Sequence, residues 1–191
     1  MKATQILMEE HRVIEGVLNS LEKAIQRMDA GVPVRPGLFL DAADFIRGFA
    51  DGCHHHKEEG VLFKSMAAHG IPVERGPIGV MLADHELGRR YTRQMRAAAE
   101  RLQAGEAEAA EDVMVNAGAY VELLRNHIFK EDRILFPMAG KAIPLPDQEK
   151  VLEGFDKVEH EETGEGIHEK YLALAQSLAS EVEGLPQPER G

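Results

Sequence analysis

Apolar residues recur along this chain at helical spacing, not alternating spacing. Ile6, Met8, Val13, Val17, Leu18, Leu21 and Ile25 mark one side of a helix running from about Thr4, a candidate N-cap, to Met28, where DAGVPVRPG breaks it. A second helix is expected from about Leu38 to His69, closed by Gly70 and Pro72. A third runs from near Pro77 to Leu102, before QAGEAE, and a fourth from about Ala107 to Phe136, stopped by Pro137 and then Gly140. A last helical segment spans Asp147 to Glu183, interrupted by GEG at Gly164 to Gly166 and followed by LPQPERG. Nothing reads as a strand. The pattern predicts an all-α protein: an antiparallel up-down four-helix bundle over residues 1–140, a C-terminal helical extension over 141–183 packed on it, and a tail at 184–191.

Composition narrows the class. At 191 residues the chain is long enough to bury one real core. A formal charge of −11 disfavours nucleic acid and anionic membranes as partners, because both attract basic patches. Cys53 is the single cysteine, which excludes an intrachain disulfide framework and makes a reducing compartment the default. The N-terminal MKATQILMEEHRVIEG lacks the apolar core of a signal peptide, and no apolar run approaches the roughly 20 residues that cross a bilayer. A cytoplasmic location is the expectation.

The densest chemistry lies in CHHHKEEGVLF, residues 53–63. Residues 54–63 align without a gap onto residues 127–136, and both read H-x-x-K-E-[ED]-x-[VI]-L-F. The echo selects His54 and Glu58 as the counterparts of His127 and Glu131. Each His–Glu pair is spaced i,i+4 and so shares one helix face. That face is the inward one: Ile46, Ala50, His54, Glu58 and Val61 make one stripe, and Val113, Ala117, Tyr120, Leu124, His127, Glu131 and Leu135 the other. Carboxylates aimed into an apolar core cost several kcal/mol unless paired or metal-bound. Ions between Glu58 and Glu131 would remove that cost and their mutual repulsion.

His11 lies on the apolar stripe of the first helix, and His85, in MLADHELGRRY, on that of the third. Each of four helices therefore offers an inward histidine, and two add a carboxylate. Alone, His11 or His85 would read as a core histidine, and His127 with Glu131 as an exposed helical pair. The repeat together with a histidine on each remaining helix points to metal. Imidazole and carboxylate without thiolate suit iron, manganese or zinc. Cys53 reads as a small buried residue, Tyr120 as core filler near the metals, and His56 and His69 as solvated.

The pattern resembles the hemerythrin-like, or HHE, cation-binding domain: a histidine on helix one, H-x-x-x-E on helix two, a histidine on helix three, H-x-x-x-E on helix four. Here these are His11, His54 with Glu58, His85, and His127 with Glu131, over about Ile6 to Pro137. The resemblance implies two non-haem iron ions with oxo and carboxylate bridges, Glu58 and Glu131 supplying the latter, and manganese or zinc as substitutes. One departure stands out. Oxygen-carrying hemerythrins have H-x-x-x-H on helix three, whereas Arg89 stands four residues after His85. A replacement ligand could be His168, in GEGIHEKY on the last segment. It could also be His55, since an iron-sensing F-box relative uses an extra ligand beside its helix-two histidine. His160 and Glu161 are weaker candidates.

Three functions follow from such a centre. One is reversible binding or sensing of O2, NO or H2O2. Another is an enzyme, peroxide-decomposing or oxidase. The third is an iron-responsive interaction module. A ferritin-like oxidase would want paired E-x-x-H motifs, which are not what repeats here.

Overall fold

The computed structural model describes residues 1–164 and 166–186, and among them there are helices and no strands. Most of the expected tail, and the Glu161 side chain, lie outside the described residues. Helix α1 is Lys2–Asp29. It starts earlier than expected, so Thr4 is not its cap; the Thr4 hydroxyl donates to the Met1 carbonyl from inside the first turn, at 2.9 Å. Helix α2 covers residues 36–68 in four joined pieces: Pro36–Phe45, the π-wound stretches Ile46–His55 and Glu58–Leu62, and Phe63–Ala68. Helix α3 is Pro77–Gln103.

Helix α4 covers residues 109–142 and passes through Pro137, where the sequence suggested a stop. The reason is local. A π turn at Glu131–Leu135 precedes the proline, and the Phe136 N–H reaches back five residues to the Glu131 carbonyl. Such a widened turn relaxes the i−4 crowding that a helical proline would otherwise meet. The same turn occurs in the other copy of the repeat, where the Phe63 N–H bonds the Glu58 carbonyl. The last segment is two helices, not one: α5, residues 145–163, and α6, Ile167–Glu183. They meet at an elbow where Gly164 and Gly166 have φ of 98° and 75°, a region open to glycine at little cost.

Two apolar clusters hold these helices together. One contains Ile14, Leu18, Phe39, Phe45, Phe49, Tyr120 and Leu124, and it is extended by Leu178 and Val182 of α6. The other contains Leu7, Leu62, Phe63, Met66, Met81, Leu135 and Phe136, and it is extended by Val151 and Phe155 of α5. Gly48 on α2 lets α6 come close, because the Tyr171 ring fills the space its side chain would need. Between the clusters lies a buried polar layer: His11, His54, His55, Glu58, His85, His127 and Glu131. No helix among the described residues is long and apolar enough to cross a membrane.

Candidate metal centre

Two groups of side chains in this layer each gather within 4.8 Å, and they share one residue. His11, His54, Glu58 and Glu131 form the first; His55, His85, His127 and Glu58 form the second. Glu58 divides its oxygens between them, with Oε1 3.5 Å from His54 Nε2 and Oε2 3.4 Å from His85 Nε2. Glu131 Oε2 also touches both sides, 3.2 Å from His11 Nε2 and 3.2 Å from His127 Nε2.

Seven of the eight side chains singled out from the sequence meet here, and His168 does not. It stands against the Phe49 ring, in a separate trio with Glu10 and Cys53. His55, adjacent to His54, does enter, and its ring stacks on His85 with centroids 3.8 Å apart. Two neighbours can both face inward because Ile46–His55 is π-wound, which brings successive side chains closer in angle than an α-helix does. His160 is exposed and bonded to the Asp156 carbonyl, and His69 bridges the Ser65 carbonyl and Asp147. Tyr120 is buried, and its hydroxyl has no partner.

The histidines are held from behind. Nδ1 of His11 donates to Asp132 at 2.7 Å, His54 to Glu10 at 2.9 Å, His55 to Asp51 at 2.9 Å and His85 to Glu59 at 2.8 Å. His127 Nδ1 faces Asp84 at 3.5 Å. Each carboxylate is in turn gripped by a cation. Arg12 holds Asp132, Lys57 holds Glu10, Lys130 holds Asp84, and Arg89 holds both Glu59 and Asp51. Arg89 therefore ties together the supports of His85 and His55. These outer acids were not read from the sequence, although a signal was there. Glu59 and Asp132 are the [ED] position of the repeat, and Glu10 and Asp84 immediately precede the two lone histidines.

With four of the five backs bonded, the histidines aim Nε2 at the centre; those of His85 and His127 meet each other at 3.1 Å, and the rest of that side is unsatisfied. Nε2 of His11, His54 and His55 and all four oxygens of Glu58 and Glu131 are buried without hydrogen-bond partners. Seven polar atoms without hydrogen bonds in one dry layer, eased only by the ion pairs of His11 and His127 to Glu131, would be costly if left so. Imidazoles oriented through Nδ1 by carboxylates, with Nε2 free, are the arrangement of metal-ligating histidine. The donor set fits a pair of cations.

The electrostatics of the metal-free layer agree. Burial and the nearby Glu131 charge push the Glu58 carboxyl well above its usual range. Glu131 goes the other way: burial opposes ionisation, but His127 and His11 overcome it and hold the group well below. His11 and His127 are raised to about 9, their desolvation outweighed by Asp132 and Glu131 for the first and by Glu131 and Asp84 for the second. Burial lowers His54 to about 4. Without metal, then, His11 and His127 each carry a proton near neutral pH and Glu58 holds its own more tightly than a free carboxyl does, and a metal ion must displace them. Metal uptake near neutral pH should release these protons. Calorimetric titration with zinc, repeated in buffers of different ionisation enthalpy, measures the release, and uptake without it would place the ions elsewhere. The same shifts set a pH trend for the metal-free protein. Because His11 and His127 rise from 6.5 unfolded to about 9 folded, their stabilisation is complete below about 6.5 and is lost as pH rises through about 9.

The chain belongs to the hemerythrin family: the model of the hemerythrin HHE cation binding domain matches residues 2–139. Among curated proteins it is 25% identical over 163 residues to an uncharacterized protein of Mycobacterium bovis and equally to one of Mycobacterium tuberculosis. That alignment takes in 85% of this chain but 63% of each relative, so the chain spans under two thirds of their length. No solved structure matches it.

Proposed function

We propose that this chain is a non-haem di-iron protein that binds or senses a small molecule, O2, NO or H2O2, within an antiparallel up-down four-helix bundle. The bundle is residues 1–140, with residues 141–183 packed on it. Its up-down sense is supported by the order in which the helices visit the two apolar clusters. Helices α1 and α3 begin at the Leu7–Met81 cluster, and α2 and α4 end there.

The observation that carries the reading is the pair of donor groups joined through Glu58, with their inward atoms orphaned. His11 and His54 would serve one ion and His55, His85 and His127 the other, with Glu58 and Glu131 between them. Two iron ions held there would supply paired redox-active centres. The chain's own residues do the rest. They hold the imidazoles of His11, His54, His55 and His85 by Nδ1, set Asp84 behind His127, and seal the layer with apolar clusters on both sides. Buried in this way, the site suits small neutral molecules.

Metal analysis together with the visible spectrum, before and after O2, NO and H2O2, tests this. We expect two iron ions per chain and new near-ultraviolet charge-transfer absorption when the ferrous protein meets oxygen. Steady consumption of peroxide would move the assignment from carrier or sensor to enzyme. A protein that holds zinc alone and stays spectrally silent after iron loading would leave only a structural role for the site.

A further inference from the structure

Beside the metal layer, Glu10, Cys53 and His168 lie close enough together to hold an ion. Lys57 already fills that space. Its ammonium meets Glu10 at 2.5 Å and Glu159 at 3.0 Å, and no part of its side chain reaches solvent. A metal cation there would face a fixed positive charge, so the trio is better read as the surroundings of a buried lysine.

A buried ammonium is costly unless it is well paired, and removing one partner strands the other. Lys57 has its position for a reason that the internal repeat exposes. Its counterpart, Lys130, grips Asp84, which faces His127. Lys57 likewise grips Glu10, which accepts from His54 Nδ1 at 2.9 Å. The two relays match up to the lysine and then diverge. Lys130 is partly exposed. Lys57 continues to Glu159 on α5, one turn before the glycine elbow, and Glu159 Oε1 lies 3.7 Å from His168 Nδ1 on α6. The α5 arm of the C-terminal elbow thus pairs with the cation behind one metal-layer histidine, and the α6 arm meets the same Glu159.

We propose that the α5–α6 elbow, acting through Glu159 and Lys57, sets the strength of the Glu10–His54 hydrogen bond and thereby tunes one of the two metal positions. Lys57 and Glu159 are positioning residues; neither reaches the metal layer. For its functional meaning the proposal rests on the di-metal reading, while the coupling itself is a property of the protein with or without metal. The physics gives it a sign. Lys57 shares its charge between two carboxylates. Neutralising Glu159 leaves more of that charge on Glu10, which becomes a weaker acceptor for His54. Removing the ammonium frees Glu10 and makes it a stronger one.

The test is nitrogen-15 histidine NMR of the full chain, metal-free and zinc-loaded, following the His54 Nδ1 proton. In Glu159→Gln that proton should move upfield, and the His127 signal should stay in place. Lys57→Met should move it downfield, and Lys130→Met should move His127 and spare His54. If Lys57→Met does not fold, Glu159→Gln decides alone, because Glu159 sits at the partly exposed edge of the cluster. An unmoved His54 signal in Glu159→Gln, with two zinc ions still bound per chain, overturns the coupling. A wild-type chain that binds no pair of zinc ions but shows the Glu159→Gln shift keeps the coupling and overturns the di-metal reading.

Discussion

Replacing Glu58 with Ala should empty both metal positions at once while leaving the metal-free protein as stable as before, or more so. Glu58 is the residue the two donor groups share, and each of its oxygens faces a different group. Without it, neither ion has its full set and nothing screens one from the other. In the metal-free protein, by contrast, burial and the Glu131 charge disfavour ionisation of the Glu58 carboxyl, and both of its oxygens lack hydrogen bonds. Its removal relieves a penalty there. Metal held at about 1,000 times its Kd adds about 4 kcal/mol. In a chain of this size that is roughly 10 °C of melting temperature. The loaded wild type should therefore melt roughly 10 °C above the variant, and the two should converge once a chelator is added. Glu131→Ala should differ, because Glu131 is ion-paired to His11 and His127 even without metal, so both forms should lose stability. Mass-spectrometric metal counts and thermal melts decide it. Two ions per chain and an unchanged melt in Glu58→Ala would rule out a shared bridging carboxylate.

His55→Ala should cost one of the two ions, and His168→Ala neither. His55 stands in the donor group with His85 and His127, its Nε2 buried and unbonded, whereas His168 packs against Phe49 outside both groups. Losing a residue that merely orients a ligand weakens metal binding by about 10–100-fold. Losing a donor should exceed that and bring occupancy toward one ion per chain at modest metal concentration. Titration with a metal indicator gives the count. Full occupancy in His55→Ala, or a lost ion in His168→Ala, would reverse the choice between these two histidines.

Much of the architecture could be read from the chain because helical periodicity and glycine–proline breaks are local signals. Helices α1 and α3 begin or end within two residues of expectation, with Pro77 opening α3 and DAGVPVRPG closing α1. Pro137 misled because its tolerance depends on a π turn one step earlier, and π winding leaves no mark in an apolar pattern. The same blindness left His55 and His168 as open alternatives, since strict 3.6-residue spacing does not turn His54 and His55 to one side together. The gapless repeat brought His54, Glu58, His127 and Glu131 into one expectation, but it was read for donors only. Its lysine, which grips a supporting carboxylate, and its second acid, which bonds an imidazole, were equally visible but carried no assigned role. Their meaning is set by partners on other helices, as with Glu10 for His54 and Asp132 for His11, and a linear pattern does not pair helices.

That cross-helix arrangement has a consequence for how the protein opens. Glu10 on α1 supports His54 on α2, Glu59 on α2 supports His85 on α3, Asp84 on α3 faces His127 on α4, and Asp132 on α4 supports His11 on α1. The supports form a closed ring, so a fluctuation that detaches any one helix unseats a histidine on its neighbour as well as its own. Amide exchange in the four helices near this layer should therefore follow one shared opening event, not four independent ones. His55 is the exception, since its partner Asp51 lies on the same helix. Of the five histidines it is the one that local rearrangement of α2 can move without breaking the ring.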